Sequence, residues 1–272
     1  MTSWQKAIKY AAIALATFLI INIIGGIVGT VATLSYVFDD KENIGEMENY
    51  KIMDNIKKLD IDVGAVNFVI KTGDSFKLES NNEKITVKEN NGSLIIKQKH
   101  SLNFGKRRYN LEISIPEDTV FDDVYISTGA GRLTVDTLKA ERIDLDLGAG
   151  EAKFNNLTAL KKLEIDGGAG AIIIENGKLA NADFNLGVGT LKLTSILTGV
   201  CDIDCGVGET RLTLLGDRED YRIDIDKGIG DAVIDGEKRK DGDVYGSGSN
   251  RVSIDGGIGK IDVQFERIIE VE

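Results

Sequence analysis

Leu145-Asp-Leu-Gly148-Ala-Gly150-Glu-Ala-Lys-Phe154 is followed, twenty residues on, by Ile165-Asp-Gly-Gly168-Ala-Gly170-Ala-Ile-Ile-Ile174. The pattern apolar–polar–x–Gly–x–Gly occurs seven times in this 272-residue chain. Its glycine pairs are Gly129 and Gly131, Gly148 and Gly150, Gly168 and Gly170, Gly187 and Gly189, Gly206 and Gly208, Gly228 and Gly230, and Gly257 and Gly259. The first glycines lie 19, 20, 19, 19, 22 and 29 residues apart. A period near twenty marks a stacked-repeat fold, one supersecondary unit per repeat.

Aligned on the first glycine, the positions five and three before it are apolar in every repeat, from Val124 and Ile126 to Val252 and Ile254. The sixth position after it is Val135, Phe154, Ile174, Leu193, Leu212, Ile234 or Val263. Alternation on both sides of the glycines is the period of half-buried strands. Each coil therefore reads as strand, glycine corner, strand and return. The fold expected is all-β, a parallel β-solenoid of 19–20-residue coils. Glycine suits the corner because positive φ is nearly free only for glycine. The Ala, Val or Ile between the glycines is expected to point inward. A leucine-rich repeat would need a spacing that only one coil mimics, and the calcium-binding nonapeptide repeat would need an aspartate that only Asp231 supplies.

The ends depart from the array. Leu59-Asp-Ile-Asp-Val-Gly64-Ala-Val66 is an earlier coil with Val66 in place of the second glycine. Candidate strands follow at 75–80, 84–88 with 93–99, and 109–115, and Asn91-Gly92 is a hairpin-turn signal. Residues 51–125 thus read as a first coil with a hairpin-containing N-terminal cap, 126–265 as the solenoid repeats and 266–272 as a C-terminal cap. The stretch from Gly236 to Ser249 reads as a protruding loop. Loops carry function more often than stacked coils do. Its Tyr245, Asp241 and Asp243 are therefore candidate ligand contacts.

From Tyr10 to Phe38 no residue is charged, and a spanning helix needs about 20 such residues. Lys6 and Lys9 precede the run, and Asp39, Asp40 and Glu42 follow it. The reading is a cytoplasmic N-terminus (1–9), a single transmembrane helix (10–38), a short stalk (39–50) and an extracytoplasmic remainder at the cell membrane. A cleaved signal peptide would have a shorter apolar core and a better small-residue site than Thr30-Val-Ala32.

The net charge of -11 disfavours nucleic acid as a partner. Two outward rows are largely acidic. One carries Asp146, Asp166, Asp204, Asp226 and Asp255, and the other Asp144, Glu164, Asp183, Asp202 and Asp224. Stacked carboxylates can recruit a divalent cation. An aspartate before a glycine turn can equally accept hydrogen bonds from turn amides. No other cofactor is indicated. Cys201 and Cys205, four residues apart on one strand face, would have Cα atoms about 13 Å apart, too far for a disulfide, and read as core thiols. With one histidine and neither HExxH nor GxSxG, the chain is not expected to be an enzyme.

Leu111-Glu-Ile-Ser-Ile-Pro116, then Phe121-Asp-Asp-Val-Tyr-Ile-Ser-Thr-Gly129-Ala-Gly131, resembles the bacterial DUF4097 family, also called "putative adhesins". The resemblance covers about residues 50–265. It implies a β-solenoid on the outer side of a bacterial envelope and offers no catalytic residues. The function it implies is a non-catalytic, adhesin-like surface module for an extracellular ligand. The alternative is an envelope-stress or regulatory partner of other membrane proteins.

Overall fold

The computed structural model describes residues 46–53, 55–99 and 109–267. The apolar run 10–38 lies outside them. Among the described residues no helix is long and apolar enough to cross a membrane.

The N-terminal strands are β1 (Glu48–Tyr50), β2 (Lys58–Gly73), β3 (Lys77–Ser80), β4 (Ile85–Asn90), β5 (Ser93–Gln98) and β6 (Asn110–Pro116). The coils follow as β7 (Phe121–Ile174), β8 (Gly177–Ala180), β9 (Ala182–Thr198), β10 (Val200–Leu215) and β11 (Tyr221–Ile234). The chain closes with β12 (Glu237–Arg239), β13 (Asp243–Gly246) and β14 (Asn250–Glu266). One sheet contains them all, ordered β1-β3-β6-β2-β7-β8-β9-β10-β14-β11-β12. Coil-to-coil pairing is parallel, as the period requires, with Gly170 opposite Gly189 and Gly189 opposite Gly208.

The inward rows expected from the alternation are buried in every coil: Ile143, Leu145, Ala152 and Phe154 in one, Ile223, Ile225, Ala232 and Ile234 in another. The return is itself a strand segment. Leu157 and Ala159 pair with β8, β8 pairs with Ile196–Thr198, and Ala159, Leu179 and Leu197 form a further buried column, with buried Ser195 and Leu214 opposite each other beside it. Its short alternating stretches escape notice because turns interrupt them. Both cysteines are free and buried.

The N-terminal cap is as the turn signals predict. Asn91 and Gly92 have φ of 47° and 75°, and β4 returns antiparallel on β5. The outer edge of β2 is covered by β5 along its first half and by β6 along its second. Antiparallel β4, β3 and β1 then close the cap.

The far end differs from simple sequential stacking. β14 lies between β10 and β11: Asp204 is opposite Asp255, and Asp255 is opposite Asp226. The chain leaves β10 through the 3₁₀ turn Arg218–Asp220, skips one rung, and β14 later fills the slot. Asn250 secures this order, its Oδ1 accepting from the Gly199 N–H at 3.2 Å. The terminal rung is therefore β11. The stretch 236–249 is not a protruding loop; it supplies β12 and β13, both antiparallel to the outer edge of β11. An open edge would template further pairing, and these two short strands block it. Of the C-terminal cap expected at 266–272, residues 268–272 lie outside the described residues. Phe265 packs on two aromatic rings. It sits between Tyr221 (5.7 Å between ring centroids) and Tyr245 (5.8 Å, stacked).

Candidate functional site: the glycine corner and its acidic flank

Two different constraints demand the two glycines. The second of each pair has positive φ, from 129° at Gly131 to 155° at Gly189. The first does not. There, a β-carbon on Gly148 would overlap the carbonyl oxygen of Gly129 in the neighbouring coil. The corners stack too closely for any side chain on that column.

The residue between the glycines is not part of the buried core. None of these residues is buried, and Ile229 is 73% exposed. A chain turning sharply over stacked glycines has its interior taken by the flanking residues, such as Leu147 and Cys205. The middle side chains are left half-buried, apart from exposed Ala65 and Ile229. They form a ridge along the corner, in spatial order Ala65, Ala130, Ala149, Ala169, Val188, Val207, Ile258 and Ile229. Side-chain size grows from the N-terminal cap to the terminal rung.

The acidic row flanks this ridge. It is not uniformly charged. Ser127 Oγ donates to Asp146 at 3.4 Å, and Asn185 Nδ2 donates to Asp166 at 3.1 Å and to Asp183 at 3.3 Å. Inserting β14 brings Asp204, Asp255 and Asp226 onto consecutive rungs, which the sequence order conceals. Burial, followed by the field of Asp204, raises the Asp255 carboxyl above the ordinary carboxylate range. A hydrogen bond with the Asp241 carboxyl does the same for Asp226. In the second row, burial and then Glu164 raise both Asp144 and Asp183. The cationic margin acts oppositely. Lys58 and Arg142 hold Asp123 low, and Arg222 and Arg251 hold Asp224 low. Among the described residues no group of three or more His, Cys, Asp or Glu has the geometry to hold a metal ion.

The three candidate contacts of the 236–249 stretch have structural tasks. Asp241 accepts from the Lys227 N–H at 2.9 Å, and Asp243 accepts from the Lys240 N–H at 2.7 Å. Tyr245 is half-buried on Phe265 with the Arg239 guanidinium 5.1 Å above its ring. Ile229 and the ridge escaped the sequence reading because the apolar middle residue was assigned to the core. Lys227 is the signal that could have marked the terminal rung. It stands where other coils carry Thr, Leu, Gly or Cys, and its ammonium donates to the Gly230 carbonyl at 2.8 Å. In the middle of a stack that charge would be buried.

Fold and corner together define a parallel β-solenoid that presents one partly exposed glycine-corner ridge and is capped at both ends. Residues 56–262 match the Toastrack DUF4097 family, and the chain belongs to it. Comparison with curated proteins gives no match. Among solved structures, the chain is similar to a "putative adhesin" of Parabacteroides merdae (14% identity, TM-score 0.43, 81% of this chain and 97% of that one). It is also similar to one of Bacteroides fragilis (16%, TM-score 0.40, 80% and 96%). A "putative lipid binding protein" of Parabacteroides distasonis matches at 16%, with TM-score 0.38 over 81% and 98%.

Proposed function

We propose that the chain is a non-catalytic, adhesin-like binding module, held on the outer side of a bacterial envelope by residues 10–38. It engages an extended, partly cationic ligand along the corner ridge. The observation that carries this reading is the ridge itself. An uninterrupted line of apolar side chains on a rigid backbone, ending at Ile229, is bordered on one side by carboxylates. Apolar surface lined by one sign of charge favours a partner with apolar and basic groups. Membership of the Toastrack DUF4097 family is in keeping with a surface module.

The test uses the full chain in fluorescent vesicles incubated with cells and with extracellular matrix. Wild-type vesicles are expected to be retained, and vesicles carrying Val207→Ser with Ile229→Ser are expected to be lost. Equal retention of the variant would remove the ridge from the account. No retention of either, with capture of a membrane protein of the chain's own cell instead, would favour the regulatory alternative.

A further inference from the structure

The N-terminal cap ends in an open groove of about 680 Å³. Its walls come from Tyr50 to Met53 on one side and Val87 to Glu89 on the other. These flank the two outermost strands of that end, β1 and β4, so the groove faces along the solenoid axis, away from the repeats. Its floor is apolar: Ile52 and Val87 are half-buried, and Met53 is 70% exposed. The carboxylate of Glu89 is turned onto the backbone, accepting from the Met53 N–H at 3.1 Å. Lys51 and Lys88 are exposed, and among the described residues neither makes an ion pair. Other lysines of the cap behave differently: Lys58, Lys71, Lys77 and Lys97 each hold a carboxylate.

Charge is distributed unevenly along the chain. Residues 46–120 contain 12 Lys and Arg against 12 Asp and Glu, whereas 121–267 contain 18 against 27. Most of the acidic excess after residue 45 therefore lies in the coils. An anionic surface repels the coils more than it repels the cap. Only residues 39–45 separate the apolar run from Glu46, a reach of at most about 25 Å. β1 then ties the chain to the cap at once.

We infer that this end groove is a membrane-contact surface. Met53, Ile52 and Val87 seat among the headgroups of an anionic phospholipid bilayer, and Lys51 and Lys88 face the lipid phosphates. The solenoid then stands with β11 and Ile229 pointing away from the bilayer. The inference rests on the reading of residues 10–38 as a membrane anchor.

The test uses the full chain in vesicles of zwitterionic phospholipid containing an anionic phospholipid, with a spin label on the headgroups as quencher. A fluorophore is attached at Met53→Cys, or, in a second protein, at Lys240→Cys on the opposite end. Cys201 and Cys205 are buried and their thiols are raised by burial, so labelling selects the new cysteine. The expected result is flotation with the vesicles, loss of fluorescence at position 53 and none at 240. Adding Lys51→Glu and Lys88→Glu should restore fluorescence at 53 without abolishing flotation. Flotation with equal quenching at both positions, or with none at 53, would overturn the docking while leaving the anchor intact. Failure to float would overturn the anchor, and the docking with it.

Discussion

A β-carbon at Gly189 would overlap the carbonyl oxygen of Gly170, on a backbone already at φ 155°. Gly189→Ala is therefore expected to destabilise the domain by about 3 kcal/mol or more, read by urea unfolding. Gly236→Ala is the control: φ is 81° there, but nothing lies within 4 Å, so the cost should stay near about 1 kcal/mol. The carboxylate rows give a second prediction at this scale. Asp144 and Asp183 are raised from 3.8 in the folded chain, so the folded state binds their protons more tightly than the unfolded state does. Their contribution to stability grows as pH falls through the raised values toward 3.8 and is lost as pH rises. Asp123 and Asp224 act oppositely, their contribution being present above 3.8 and lost as pH falls through their lowered values. Asp144→Asn with Asp183→Asn should flatten the gain seen as pH falls from neutral toward 3.8, and should change stability at neutral pH by no more than about 1 kcal/mol. The acidic rows were readable residue by residue, because alternation fixes which face a side chain takes. The incomplete burial of the middle corner residue was not. Glycine carbonyls stack closely at the corner, and a single repeat does not display that contact.

The elements of the regular array were legible because each coil repeats the same test of the pattern. Asn91-Gly92 made the cap hairpin legible as well. The order of the last three rungs was hidden. Spacings of 22 and 29 look like tolerated insertions, yet the first lets the chain skip a rung and the second carries the edge cover and the return. Asp235-Gly236 was an unread clue; φ of 48° and 81° there turn β11 back into β12. Two predictions belong to this scale. Tyr245→Ala removes the ring stacked on Phe265 and should lower stability by about 1 kcal/mol or somewhat more, with amide exchange rising first in β13 and β11. Ending the chain before Asn250 leaves β10 and β11 without their shared neighbour. The truncated protein should lose amide protection in β11 while β2 and β7 keep theirs.

At the scale of the whole molecule, the stack has two unlike ends. The cap end is apolar-floored and carries the exposed Lys51 and Lys88, while the far end is closed by two antiparallel strands. Between them the ridge runs from Ala65 to Ile229, its largest side chains furthest from the cap. On the proposed reading the molecule presents one line of surface, with Ile229 on the rung furthest from the cap. Photocrosslinking in the native cell tests that claim most directly, with the reactive residue at Ile229 in one protein and at Tyr245 in another. The account predicts a reproducible adduct from position 229 and little from 245, whose ring is packed on Phe265. Adducts from 245 with none from 229 would contradict it and return the contact site to the edge strands.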